Sequence, residues 1–346
     1  MKSFSKKTLF NPNGDDRIQQ RKIIGGNTTN LFNLNNVKYN WASQIYRIMM
    51  ANFWVPEKVD LSVDENQYSK LTTYELEAYD GILSFLTFLD SIQTNNIPNI
   101  SDWITAPEIS TILAIQTYQE AIHSQSYSYI IESIIPVDKR EKIYDLWRED
   151  DILLTRNRYL AQIYQDFIDS QSTDNFVRTI IANFILEGLY FYNGFIFFYS
   201  LAARNLMLGT ADQIRYINRD ELTHIHIFKN IMLALMEENP GIINEDVVYE
   251  MFTEAVNQEI SWTNHILDNH VLGINEKSTE EYTKYLANNR LEMIGFKALY
   301  PEFTKNPYPH LEKLADSESD EMKSNFFEST VTNYNQSSSI DGWDDF

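Results

Sequence analysis

From Ile180 to Leu208 the chain is apolar nearly all the way round a helix, and two environments accept such a segment: a bilayer, or the middle of a helical bundle. Asn193, Gly194, Ser200 and Arg204 interrupt its longest apolar stretch, Phe191 to Leu208, which argues against a membrane span. The segment also holds a carboxylate, Glu187, between Phe184-Ile185-Leu186 and Gly188-Leu189-Tyr190-Phe191. An ionised carboxylate among such neighbours is costly unless something positive compensates it or it reaches a solvent groove. No Lys or Arg lies within one helical turn. The segment is therefore expected to be the central helix of a bundle, with a cation as the compensating partner.

The rest of the chain fits that frame. Only 11 Gly and 9 Pro occur in 346 residues, mostly at the ends or between long segments with helical apolar spacing, and no strand alternation of useful length appears. The spacing predicts helices from Tyr39 to about Phe53, Thr73 to Thr94, Pro107 to about Ile135, Asp138 to Glu149, Asp151 to Ser170, Asp174 to Leu208, Ala211 to Glu238, Glu245 to Leu272 and Ser278 to about Asn288. Pro107 is tolerated as a first helical residue. The fold class is all-α. Residues 1–35, rich in Asn, Gly and Asp, read as an extended arm, residues 36–315 as the helical domain, and residues 316–346 as a flexible polar tail.

Charge and cysteine usage narrow the function. With 28 Lys and Arg against 49 Asp and Glu, the formal charge is −21, which disfavours nucleic acid and anionic membranes as partners. There is no Cys, so thiolate nucleophiles, disulfides and zinc-thiolate sites are excluded together. MKSFSKKTLFNPNGDD carries charge but no apolar core, so no secretory signal is expected and the chain reads as soluble and cytoplasmic.

Two ExxH signatures stand about a hundred residues apart: Glu120-Ala-Ile-His123 and Glu221-Leu-Thr-His224. Residues three apart share a helix face, so each pair can offer one oxygen and one imidazole nitrogen to the same ion. A second lone carboxylate, Asp90, closes the run Phe85-Leu86-Thr87-Phe88-Leu89. Two helices giving one acid each and two giving ExxH make a carboxylate-bridged dinuclear site. Four carboxylates and two imidazoles suit divalent iron or manganese better than zinc. Tyr127 lies one turn beyond His123 on the same face, about 6 Å further along the axis. Asp220, adjoining Glu221, points about 100° away and is placed for a hydrogen bond to a ligating imidazole. The tail holds Phe326, Phe327, Tyr334, Trp343 and Phe346 in an acidic context, as anchors for a partner groove would be.

With these residues in hand, the sequence resembles the radical-generating small (β) subunit of class I ribonucleotide reductase, a ferritin-like family. The matching residues are FWVPEKVD around Trp54, LDSIQ around Asp90, QEAIHSQSYSYI from Gln119 to Ile130, EGLYFYNGF from Glu187 to Phe195 and NRDELTH from Asn218 to His224. The resemblance implies that Asp90, Glu120, His123, Glu187, Glu221 and His224 are the six ligands of a dinuclear iron or manganese centre. It implies that Tyr127 carries the radical, in an apolar pocket of Phe191, Phe195 and Ile217. Asp220 and Trp54 would form the inner part of an electron path, and Tyr334 would relay the oxidising equivalent to the large (α) subunit, which the tail docks. It further implies a homodimer and, among its candidate partners, a flavodoxin-like or ferredoxin-like activator. Asp at 90 and Tyr at 127 argue against the subclass with Glu and Phe there, and the intact acids argue against the metal-free subclass. Iron with a tyrosyl radical, manganese with one, and a high-valent manganese pair without one remain open. The alternative function is a ferritin-like oxygenase or desaturase acting directly on a substrate.

Overall fold

The computed structural model describes residues 3–314, so the tail side chains, Tyr334 among them, lie outside the described residues. Within these the chain is helical: α1 (Asn40–Ala51), α2 (Ser62–Tyr68), α3 (Thr73–Ser101), α4 (Pro107–Ile134), α5 (Val137–Glu149), α6 (Asp151–Asp169), α7 (Thr173–Ile185), α8 (Tyr192–Ala202), α9 (Leu208–Glu238), α10 (Glu245–Ile266), α11 (Glu276–Met293) and a short α12 (Pro309–Glu312). Among the described residues the sole β pairing is one isolated bridge, Ile24 with Ile104.

The site rests on α3, α4, the α7–α8 segment and α9, which pack on one another. The start of α3 is fixed by a reciprocal cap in which the Thr72 side chain accepts from Glu75 N and Glu75 accepts from Thr72 N. The helix runs past the expected end at Thr94 to Ser101 and contains Pro98 in its last turn, so any bend the proline imposes is carried by only the three residues that follow it.

The segment from Thr173 to Ala202 is long and apolar enough to cross a membrane, yet its apolar 18-residue stretch is wholly buried inside the fold, as a core helix is. Sequence spacing gives one continuous helix here. The structure instead divides it with a single π-turn, Leu186–Tyr190, where the inserted residue changes the phase of everything that follows.

Helix α2 has no counterpart in the spacing-based reading, and it locates α9. Its buried Asp64 accepts from Gly209 N (3.1 Å) and Thr210 N (2.6 Å), placing a carboxylate on the positive end of a long helix. A Cβ at Gly209 would stand 2.5 Å from Asp60 O, so the close approach needs glycine. The N-terminal arm, with one short 3-10 turn at Ile18–Gln20, is firmly held. Arg21 forms a buried ion pair with Glu108 (3.1 Å), and Ile23 and Ile24 are fully buried.

Candidate metal centre

Asp90 comes from α3, Glu120 and His123 from α4, Glu187 from the π-turn, and Glu221 and His224 from α9. All six side chains are 0 % exposed. Their ligand atoms fall into two sets, Asp90, Glu120, His123 and Glu221, then Glu120, Glu187, Glu221 and His224, with the atoms of each set within 4.8 Å of one another. Glu120 and Glu221 belong to both.

The geometry shows how they are shared. Glu120 turns Oε2 toward His123 Nδ1 (3.5 Å) and Oε1 toward His224 Nδ1 (3.2 Å). Glu221 turns Oε1 toward His123 Nδ1 (3.1 Å) and Oε2 toward His224 Nδ1 (2.9 Å). Asp90 Oδ2 completes the first set 3.7 Å from His123 Nδ1, and Glu187 Oε2 the second 3.6 Å from His224 Nδ1. Each bridging acid thus offers one oxygen to each side.

Each imidazole is held from behind. His123 Nε2 faces Asp220 Oδ2 at 3.4 Å, and the same oxygen accepts from Trp54 Nε1 at 2.9 Å. His224 Nε2 faces Gln119 Oε1 at 3.0 Å. A proton on each Nε2 leaves the inward Nδ1 lone pair for an ion. The residue before each ExxH glutamate therefore holds the histidine of the opposite helix. Gln119 was not among the sequence candidates, although its position repeats that of Asp220. Also unforeseen are Gln93 and Gln116, whose amides donate to Glu187 Oε1, Gln116 at 3.0 Å.

Bringing four carboxylates together in a dry core has electrostatic consequences. Asp90 and Glu187 are pushed well above the usual carboxylate range, by burial first and then by the charges of Glu120 and Glu221. Glu221 is held low against its own burial, mainly by the His224 charge. Both histidines are raised despite burial, His224 by the charges of Glu120 and Glu221, and His123 by its close contacts with Asp220, Glu120 and Glu221. Both Asp90 oxygens, Glu120 Oε2, Glu187 Oε2, Glu221 Oε1 and His123 Nδ1 are buried without a hydrogen-bond partner. Buried lone pairs converging in two sets are what a pair of divalent cations satisfies. The residues fit a dinuclear metal site.

Tyr127 is fully buried, and its hydroxyl has no hydrogen-bond partner. Burial, and then the neighbouring Asp90 charge, push its phenol well above the ordinary value. On the other side the buried Tyr164 hydroxyl is likewise unpartnered, its phenol raised by burial and the charges of Glu187 and Glu120. Phe191, Phe195 and Ile217 are all buried, with the two phenylalanine rings 6.0 Å apart. Trp54 lies 6.3 Å from the His123 ring and stacks on Tyr216 at 5.2 Å. An apolar cavity of about 460 Å³, lined in part by Phe53, Tyr118 and Gln119, opens beside Trp54.

Comparison with known proteins agrees with this geometry. Residues 31–307 match the family model described as ribonucleotide reductase, small chain. The chain is 43% identical over 338 residues to the ribonucleoside-diphosphate reductase subunit beta of Treponema pallidum (strain Nichols), covering 97% of this chain and 96% of that one. It is 35% identical over 326 residues to the subunit of the same name from Halalkalibacterium halodurans, covering 93% and 94%. Its fold matches a ribonucleotide reductase R2 subunit from Clostridium botulinum with a TM-score of 0.88 and 46% identity, over 91% of this chain and 100% of that one. A buried site of six candidate ligand side chains, on a helical fold shared along nearly the whole length of these relatives, places the chain in the small-chain family of ribonucleotide reductases.

Proposed function

We propose that this chain is the radical-generating β subunit of a class I ribonucleoside-diphosphate reductase. In this reading it is a cytoplasmic homodimer that holds a dinuclear iron or manganese centre and exports a one-electron oxidant to the large subunit, which reduces ribonucleotides to deoxyribonucleotides. The observation that carries it is the sharing of Glu120 and Glu221 between two imidazoles beside a buried, unpartnered tyrosine. Asp90 and His123 would hold one ion, Glu187 and His224 the other, and the two shared acids both.

Two such ions, when bound, supply the reduction of dioxygen, superoxide or peroxide and thereby a strong one-electron oxidant. Tyr127 is the side chain suited to store that oxidising equivalent. Its phenol stays protonated until oxidation, and the adjacent Asp90 carboxylate is a nearby proton acceptor. Burial keeps water and reductants away, and we assign Phe191, Phe195 and Ile217 to that wall. The contacts from His123 through Asp220 to Trp54 form a hydrogen-bonded route out of the core. The cysteine-free composition supports the division of labour, because the thiol chemistry of ribonucleotide reduction then falls to the large subunit.

We assign residues 316–346 to docking that subunit, with Tyr334 as relay and Trp343 and Phe346 as anchors, and a flavodoxin-like or ferredoxin-like protein to activation. Reconstitution tests the reading. Metal-loaded protein should turn over ribonucleotides only after the large subunit is added, and deletion of residues 328–346 should abolish turnover while metal content and helicity stay unchanged. Turnover by the truncated protein, or oxidation of a small substrate by the β chain without a partner, would refute radical export.

A further inference from the structure

Of the six ligand side chains, Glu187 stands on irregular backbone. A π-turn and a plain α-helix are alternative arrangements of one segment, and exchanging them changes the phase of the two flanking halves by about 100°. Glu187 could not then face His224 while Asn193 and Phe195 kept their places in the core. Something must hold the wider turn open.

Two buried guanidiniums converge on it from different helices. Arg156 of α6, 1 % exposed, donates from Nη2 to Tyr190 O at 2.7 Å and also binds Glu259 Oε2, at 2.9 Å from Nε and 2.7 Å from Nη2. The other oxygen of Glu259 accepts from Asn193 Nδ2 at 3.2 Å, and Asn193 donates to Thr283 Oγ1 at 2.8 Å. Arg290 of α11, 9 % exposed, donates from Nε to Gly188 O at 3.0 Å. A Cβ at Gly188 would lie 3.0–3.2 Å from the Arg290 side chain, so a glycine next to Glu187 is what admits this arginine.

We propose that Arg156 and Arg290 are positioning residues for the second metal position: they grip the carbonyls of the π-turn and so fix the direction in which Glu187 presents its inner oxygen. The asymmetry is specific. Neither arginine is hydrogen-bonded to Asp90, His123 or the two shared acids, so loosening the grip weakens the Glu187–His224 position and spares the Asp90–His123 position. This inference rests on the dinuclear reading.

The test is a manganese(II) chloride titration of the full-length protein, followed by calorimetry and paramagnetic resonance. Wild type should take up two ions per chain and give a spin-coupled spectrum. Arg290→Met keeps an apolar stem of similar length and removes the Nε–H. It should weaken one of the two ions by roughly 10–100-fold and convert the coupled spectrum to that of an isolated ion, with helical content unchanged. Gly188→Ala, which removes no charge and crowds Arg290, should do the same. Arg290→Lys, whose ammonium can still reach toward Gly188 O, should restore part of the loss. If wild type binds two ions and both Arg290→Met and Gly188→Ala bind two with wild-type affinity, or lose both positions equally, the positioning role is wrong and the dinuclear reading stands. If wild type binds a single ion, the dinuclear reading falls and this inference with it.

Discussion

Glu187→Gln should make the metal-free protein more stable while removing its capacity for a second ion. In the folded chain the Glu187 carboxyl is fully buried, and its inner oxygen Oε2 has no hydrogen-bond partner. A glutamine keeps Oε1 as acceptor for Gln93 and Gln116 and turns an uncharged NH₂ toward the remaining acids. Replacing a buried, desolvated charge by a neutral group of the same shape is worth on the order of 1–4 kcal/mol. For a chain of this length the unfolding entropy is on the order of 0.7 kcal/mol/K, so the midpoint should rise by about 1–6 °C. The pH dependence has a definite sign. A carboxyl raised above its ordinary value of 4.5 binds its proton more tightly when folded, so the stability it contributes is complete below that value and is lost as pH rises through the folded pKa. The advantage of glutamine should therefore be small at about pH 5 and grow toward about pH 8. Scanning calorimetry of chelator-treated proteins across that range is the assay. A Glu187→Gln protein that melts below chelated wild type at the upper end, or an advantage that shrinks with rising pH, would refute the reasoning. Added metal should reverse the order, since ions binding only the folded wild type stabilise it by mass action.

Asp220→Asn leaves Trp54 an oxygen to donate to but removes the anion behind His123, so manganese affinity at the Asp90–His123 position should fall about 10–100-fold, and an unchanged titration would reject that role. Tyr127→Phe should keep the fold and both metals, while the oxidised sample loses its narrow tyrosyl resonance and its activity with the large subunit; full activity would assign the oxidant to the metal pair itself. Arg21→Ala strands the buried Glu108 carboxylate and should cost about 3–5 kcal/mol, lowering the midpoint by about 4–7 °C; an unaltered melting curve would show that the arm is not anchored there.

The buried cluster of acids and histidines was legible because burying a carboxylate is expensive. Asp90 and Glu187 stand out against their apolar neighbours, and the ExxH pairs announce a shared helix face. The supporting amides were not, because a buried Gln raises no such alarm. Yet Gln119 precedes its ExxH glutamate as Asp220 precedes the other, Gln93 follows Asp90 by three and Gln116 precedes Glu120 by four, so helical spacing already placed Gln93 and Gln116 on the ligand face. The π-turn left no periodic mark, since a segment apolar on all sides shows no change of phase when one residue is inserted. Helix α2 escaped notice because seven residues are too few for a pattern. The grip on the arm depends on Arg21 meeting Glu108, 87 positions away, and local spacing carries no information at that range.

The two histidines share Glu120 and Glu221 as inner neighbours, each beside one further acid, and differ in their outer ones: a carboxylate stands behind His123 and a neutral amide behind His224. Arg219 stands 3.4 Å from the outer oxygen of Asp220, so the halves of the cluster differ by a carboxylate partly offset by a guanidinium, in a medium that screens poorly. In the His123 half Asp220 and then Trp54 stand in line behind the imidazole. A nearly symmetric nest of candidate ligands is in this way given a polarity, and under the radical export proposed above the oxidising equivalent would leave on the His123 side.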